Sequence, residues 1–123
     1  MFNCEDDLLV NLVVLTPKLA RRKFRQHFFE AWGWRCAYCD KELGEHTATI
    51  DHIVPKHKGG QNVRSNMICS CGACNKSKST FDWKFWFQEK DFFCKDREEK
   101  IEKWISESRL NIELRFSSGL HYL

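Results

Sequence analysis

Apolar residues recur every three or four positions early in the chain and predict an amphipathic helix over residues 17–32. Thr16 followed by Pro17 is typical of a helix N-terminus, and Gly33 is placed to end the helix. The apolar positions are Ala20, Phe24, Phe28 and Ala31. The basic residues between them are Arg21, Arg22, Lys23 and Arg25. The pattern therefore predicts a helix with a basic outer face.

The middle of the chain predicts two strands followed by a helix. Residues 47–54 are rich in β-branched side chains and predict a strand, and residues 67–69 predict a short second strand. Residues 55–66 contain two consecutive glycines and no apolar periodicity, which indicates a loop. A short helix is predicted from Cys74 onward. The order of elements predicts an α+β fold.

The C-terminal part of the chain begins with an aromatic-rich segment, residues 81–94. These side chains could stack on nucleic-acid bases, or they could pack the C-terminal helix against the rest of the domain; we favour the second interpretation, since a small domain needs such anchors. Residues 96–109 predict a helix with Ile101, Trp104 and Ile105 on one stripe. Residues 111–116 alternate apolar with polar and predict a strand or an extended strap.

A length of 123 residues accommodates one domain, 1–123. We divide it into a basic N-terminal helix at 16–34, a central core at 35–80 and a C-terminal helical extension at 81–123. No apolar run reaches the roughly 18 residues needed to cross a bilayer. The apolar stretch 8–15 follows acidic residues, which is not typical of a secretory signal. We therefore expect a cytoplasmic protein with no membrane partner.

Positive charge is concentrated in the first two-thirds of the chain. The net charge is +3, but residues 16–65 hold ten Lys and Arg against five Asp and Glu. A polyanion is a plausible partner for such a region, although charge of this size is weak support by itself.

Seven cysteines are many for a reducing compartment, where disulfides are rare and paired cysteines more often bind metal. Cys36 and Cys39 form one CxxC pair, and Cys71 and Cys74 form another. Four thiolates complete a tetrahedral zinc shell with no open position, which is a structural site. Free core cysteines and a redox pair are the alternatives. Cys69 could compete with Cys71 as a ligand but lacks the two-residue spacing to Cys74, and Cys4 and Cys94 are expected to be buried apolar residues.

A second motif lies between and just after the cysteine pairs. It reads Asp51-His52-x2-Pro55-x3-Gly59-Gly60-x-Asn62-x3-Asn66, followed by Asn75 and Lys78 after the last cysteine. Over about residues 35–78 the chain resembles the HNH endonuclease family, in the subgroup stabilised by two zinc-binding CxxC pairs and typified by free-standing phage or homing enzymes. The resemblance implies a ββα-metal (His-Me finger) core and hydrolysis of DNA phosphodiester bonds.

The resemblance also implies roles for four residues. His52 would be the general base, Asp51 and Asn75 would hold a catalytic metal ion, and Asn66 would orient His52. Asn66 could instead be a turn residue, and Asn75 could simply cap the helix after Cys74. Oxygen ligands such as Asp51 and Asn75 favour Mg²⁺ or Mn²⁺, so we expect one of these ions at the catalytic centre and Zn²⁺ on the cysteines.

Double-stranded DNA is the expected partner. The candidate nucleic-acid-binding residues are Arg21, Arg22, Arg25, Lys56, Lys58 and Lys78. For Lys78, ordinary helix-surface charge is an equal alternative. A homodimer or a phage or mobile-element partner protein would be the candidate assemblies. Two competing hypotheses are a non-catalytic zinc module that only binds nucleic acid and a zinc-stabilised protein-interaction domain.

Overall fold

Two antiparallel strands and the helix that directly follows them form the centre of the molecule. The computed structural model describes residues 16–119, with side chains from 16 to 107. The elements in chain order are α1 (Pro17–Ala31), β1 (Ala48–His52), β2 (Met67–Cys71), α2 (Gly72–Lys78), α3 (Trp83–Gln88) and α4 (Lys95–Gly119). The structure is therefore α+β, with a ββα centre. The expectation for Cys4 and the apolar stretch 8–15 lie outside the described residues.

Helix α1 begins and ends as its sequence predicts. The Thr16 hydroxyl accepts a 3.1 Å hydrogen bond from the backbone N–H of Leu19, and Pro17 occupies the first turn, where its missing N–H costs nothing. Gly33 follows with a φ of 63°, a conformation that glycine adopts without strain. Phe28 and Phe29 are buried, so α1 packs through one face and leaves its basic side chains exposed.

Strands β1 and β2 pair in register from Ala48 opposite Cys71 to His52 opposite Met67. All five residues of β2 are buried, since the strand is covered on both faces. The segment with the first cysteine pair docks on β2 through a 2.9 Å bond from the N–H of Ala37 to the carbonyl of Cys69. The hairpin thus joins the two cysteine pairs to the segment that carries Asp51 and His52.

The aromatic segment forms part of the core. Trp83, Trp86 and Phe87 are buried, as the packing interpretation predicts, whereas Phe81 and Phe85 are 60% and 64% exposed. Residues Trp83–Gln88 of this segment form the short helix α3, whose first turn is capped by the Asp82 carboxylate.

Helix α4 closes over the ββα centre. Ile101 is fully buried, and the indole N–H of Trp104 donates to the carbonyls of Arg64 and Met67 at 2.8 and 3.0 Å. The prediction of a strand or strap over residues 111–116 is wrong, because α4 continues through this segment to Gly119. Glu, Leu and Arg at positions 113–115 are good helix formers, and extending an existing helix is easier than starting a new element.

Among the helices of residues 16–119, none combines the length and apolar character needed to cross a membrane.

Candidate active site and zinc centre

Four cysteines converge where the hairpin meets α2. The Sγ atoms of Cys36, Cys39, Cys71 and Cys74 all lie within 4.8 Å of one another. A tetrahedral zinc ion with Zn–S bonds of about 2.3 Å requires sulfur–sulfur distances of roughly 3.8 Å. The Cys39–Cys71 distance is 3.9 Å, so the cluster fits such an ion.

The local structure explains why these four sulfurs meet. Cys71 is the last residue of β2 and the N-cap of α2, and its Sγ accepts a bond from the N–H of Cys74 at 3.3 Å. The hydrogen bond from the Cys74 thiol lowers the pKa of Cys36 to about 4, while the same contact raises that of Cys74. A thiolate is thus already favoured within the cluster, and thiolates are the form that binds zinc.

Cys69 does not belong to this cluster. Among the described residues, only the four cysteines above satisfy the geometry of a shared ion. Cys69 is completely buried, and burial raises the pKa of its thiol to about 12. It therefore behaves as a core side chain, and the cluster contains Cys71, the cysteine that the two-residue spacing to Cys74 selects.

Asp51 is buried between the first cysteine pair and α2. The residue is 2% exposed, and its carboxylate accepts a 2.6 Å hydrogen bond from the Tyr38 hydroxyl at Oδ2. Burial raises the pKa of the Asp51 carboxyl, although the nearby ammonium of Lys78 and the Tyr38 hydroxyl act in the opposite direction. Burial and the Asp51 charge also raise the pKa of Tyr38, so its hydroxyl keeps the proton that it donates.

Lys78 is the second partner of Asp51. Its ammonium lies 3.3 Å from Oδ1 of Asp51 and donates to the carbonyl of His52 at 3.2 Å. The side chain is buried, so the alternative that Lys78 is a helix-surface charge is wrong. In this conformation the Lys78 ammonium also does not reach the surface, where the predicted contact with a DNA phosphate would form, because it is enclosed against Asp51 at the end of β1.

His52 is half-buried at the last position of β1. Its Nε2 lies 2.7 Å from the amide oxygen of Asn62, in the loop between the strands. Asn62 belongs to the sequence motif, but no role was predicted for it. The signal that could have indicated this contact is the neighbouring Gly59-Gly60. Two consecutive glycines allow a loop to turn back, and such a loop can bring a side chain to the end of the strand that precedes it.

Asn66 anchors the loop after His52. Its side chain accepts from the N–H of Val54 at 2.7 Å and donates to the carbonyls of Val54 and Gln61, both at 3.0 Å. Its backbone carbonyl accepts from the N–H of Ile53 at 2.9 Å. These contacts are with the backbone directly after His52, and none of them is with the imidazole.

Asn75 lies inside α2 rather than at its start, so it is not the cap of this helix; Cys71 holds that position. Its amide nitrogen donates to the Thr49 hydroxyl at 3.2 Å and to the carbonyl of Ile50 at 3.4 Å. Among the described residues, no donor bonds to the Asn75 amide oxygen. Asn75 and Lys78 thus both reach β1 from α2, while no direct bond joins Asp51, His52 and Asn75 to one another within the described residues.

The predicted nucleic-acid-binding residues lie in separate regions. Arg21, Arg22 and Arg25 are exposed on α1, with Arg22 3.8 Å from Glu45. Lys56 and Lys58 are exposed in the loop after β1, and the Lys58 ammonium donates to the carbonyl of Thr80 at 2.6 Å.

The family model for HNH endonucleases matches residues 36–88. This range contains both cysteine pairs and the segment from Asp51 to Lys78.

Curated relatives carry the same region within longer chains. The CRISPR-associated endonuclease Cas9 of Actinomyces naeslundii is 41% identical over 61 residues, which are 49% of this chain and 6% of that protein. Cas9 of Corynebacterium diphtheriae is 28% identical over 78 residues, covering 60% of this chain and 7% of that protein. The SPbeta prophage-derived protein YoqL of Bacillus subtilis, whose name describes an HNH endonuclease, is 28% identical over 84 residues, 58% of this chain and 35% of YoqL.

Among solved structures, the crystal structure of the Type II-C Cas9 enzyme from Actinomyces naeslundii matches with a TM-score of 0.49 and 39% identity. The match covers 53% of this chain and 8% of that one.

Proposed function

We propose that this chain, whose residues 36–88 match the family model for HNH endonucleases, is a member of that family and hydrolyses DNA phosphodiester bonds with His52 as general base. The observation that carries this proposal is the 2.7 Å contact between Nε2 of His52 and the amide oxygen of Asn62. An amide oxygen can only accept a hydrogen bond, so the imidazole proton belongs on Nε2 and Nδ1 is left basic. A neutral imidazole held in this form can take a proton from an attacking water.

A divalent metal ion would be held by the carboxylate of Asp51 and the amide oxygen of Asn75. Both are hard oxygen ligands, which suit Mg²⁺ or Mn²⁺, and the Asn75 oxygen has no donor among the described residues. When bound, the ion would polarise the phosphate and stabilise the departing 3′-oxygen. Zinc would remain on the four cysteines, where it would fix the hairpin against α2.

Asn66 would act as a positioning residue. It bonds both the N–H and the carbonyl of Val54, two residues beyond His52, and so fixes the direction in which the chain leaves β1. The backbone at the end of a strand sets where its last side chain points. Asn66 would therefore orient His52 through the chain rather than through the imidazole.

Double-stranded DNA is the proposed substrate, bound in part by the exposed basic face of α1. Arg21 and Arg25 are one helical turn apart and exposed, which is the spacing for two phosphate contacts from one face. Replacing both with glutamine should weaken DNA binding and make the affinity less dependent on salt. The matched control replaces the exposed Lys41 and Lys103, which lie outside α1, and should change the affinity less.

The decisive experiment is a plasmid-nicking assay with Mg²⁺ on the wild type, His52→Ala and the control His46→Ala, which removes an exposed histidine. We expect nicking by the wild type and the control, no nicking by His52→Ala, and no nicking when EDTA removes Mg²⁺. Full activity of His52→Ala would refute the proposed base. DNA binding by the wild type without any cutting would favour the non-catalytic zinc module instead.

A further inference from the structure

Lys78 is a buried cation whose position depends on a buried anion. Its side chain is 1% exposed and that of Asp51 is 3% exposed. An ammonium without a counter-charge is strongly disfavoured in such surroundings, and lysine is rarely enclosed unless it is paired. The pair is therefore a unit, in which Asp51 holds Lys78 inside the fold and Lys78 neutralises Asp51.

Both oxygens of the Asp51 carboxylate already have donors. Oδ1 faces the Lys78 ammonium at 3.3 Å, and Oδ2 accepts from the Tyr38 hydroxyl at 2.6 Å. Tyr38 is neutral and can share an oxygen with a metal ion. Lys78 cannot do so easily, because a divalent cation on Asp51 would lie within a few ångströms of a positive charge in a region with little water to screen it.

We propose that Lys78 is an internal counter-ion which a divalent metal must displace from Asp51. The inference rests on the proposed function, since it takes Asp51 as a ligand of the catalytic ion. Metal binding is then a cation exchange: the carboxylate loses one positive partner as it gains another. The affinity for Mg²⁺ or Mn²⁺ is lower than the two oxygen ligands alone would give, because each binding event must remove an ammonium.

The exchange also changes the surroundings of the general base. Lys78 donates to the backbone carbonyl of His52 at 3.2 Å as well as to Asp51. A displaced Lys78 gives up both contacts together, so the end of β1 loses one restraint when the metal arrives. Occupancy of the metal site is thereby coupled to the backbone that carries His52.

Mn²⁺ binding tests the proposal without reference to activity. Lys78→Met keeps a long apolar side chain and removes the ammonium, and the matched control Lys76→Met removes an exposed charge from the same helix. Free Mn²⁺ is measured by electron paramagnetic resonance on zinc-loaded protein. We expect Lys78→Met to bind Mn²⁺ at least tenfold more tightly than the wild type, and Lys76→Met to stay within about twofold. Equal or weaker binding by Lys78→Met would overturn the proposal.

A measurement on the wild type covers the case in which Lys78→Met fails to fold. A buried, ion-paired ammonium exchanges its protons slowly and gives a protected lysine ¹⁵N–¹H signal, which Lys78→Arg should lack. Saturating Mg²⁺ should remove this signal, and its persistence would overturn the exchange.

Asp51→Asn separates this inference from the proposed function. Mn²⁺ binding that is unchanged in Asp51→Asn would overturn both the counter-ion inference and the proposed metal site, because Asp51 would then not be a ligand. Binding that depends on Asp51 but does not tighten in Lys78→Met would leave the metal site standing and overturn only the counter-ion.

Discussion

The Tyr38 hydroxyl donates a 2.6 Å hydrogen bond to Oδ2 of Asp51, and both side chains are buried. Tyr38 lies between the two cysteines of the first pair, so its ring is fixed by the same turn that brings Cys36 and Cys39 into the four-cysteine cluster. The bond therefore connects the turn with the first cysteine pair directly to the carboxylate at the end of β1. We expect zinc to stabilise the fold and also to hold a donor against the proposed catalytic carboxylate.

Tyr38→Phe should test this connection most directly. The substitution keeps the buried ring but leaves one oxygen of Asp51 without its donor, which costs about 1–3 kcal/mol in unfolding free energy. Zinc content should be unchanged, since no cysteine is altered, while DNA nicking falls. Denaturant unfolding and atomic spectroscopy measure the two quantities. An unfolding free energy equal to that of the wild type would show that the bond contributes nothing.

Cys39→Ser should lose zinc and unfold at a lower temperature than the wild type. Three thiolates and a hydroxyl bind zinc poorly, and the binding free energy of a structural zinc ion is largely folding free energy. Cys69→Ala is the matched control, because Cys69 is a buried cysteine outside the cluster. We expect about one zinc per chain in the control and in the wild type. Loss of zinc from the control instead would assign Cys69 to the site.

Asn62→Ala should slow DNA cutting by about 10–100-fold without unfolding the protein. The variant removes the acceptor that holds the His52 Nε2 proton, so the imidazole is free to adopt the other tautomer. Asn62→Asp retains an acceptor at the same place and adds a negative charge that favours the imidazolium. Its pH–rate profile should therefore shift to higher pH. Identical profiles in the wild type and Asn62→Asp would separate Asn62 from the base.

Gly60→Ala should destabilise the loop that carries Asn62. A Cβ at this position would lie 1.7 Å from the carbonyl oxygen of Val54 and 2.8 Å from that of Pro55, so the backbone itself must move. We expect a loss of about 1–3 kcal/mol in unfolding free energy together with slower DNA cutting. Gly72→Ala is the control, because a Cβ there meets no atom within 4 Å at the start of α2. A control with equal loss would contradict the steric argument.

Glu98 should make the stability of the fold depend on pH. The Lys95 ammonium and the Gln88 amide donate to its carboxylate and lower its pKa. A lowered pKa contributes stability that is present above the unfolded value of about 4.3 and is lost as the pH falls through the folded value. Glu98→Gln should therefore be less stable than the wild type at pH 7. Thermal unfolding across pH should show this difference shrinking as the pH falls below about 4, and a constant difference would exclude the charge as its source.

The sequence by itself determined the local parts of this protein. Helix α1 is recognisable from Thr16 and Pro17 at its start, because capping depends only on neighbouring residues. The two-residue spacing within each cysteine pair predicted the four cysteines that cluster in the structure, since that spacing places two sulfurs on one turn. Periodicity was misleading near the C-terminus, where six residues that alternate polar with apolar (111–116) indicated a strand, whereas the chain continues there as α4.

Only the tertiary structure decided the surroundings of Asp51 and His52. Lys78 reads as a surface charge on a short helix, and its burial follows from the docking of α2 against β1. Tyr38 reaches Asp51 from the turn of the first cysteine pair, and Asn62 reaches His52 because the loop between the strands turns back. Hydrophobic periodicity and capping act over a few residues, whereas the partner of a buried charge depends on which elements pack together.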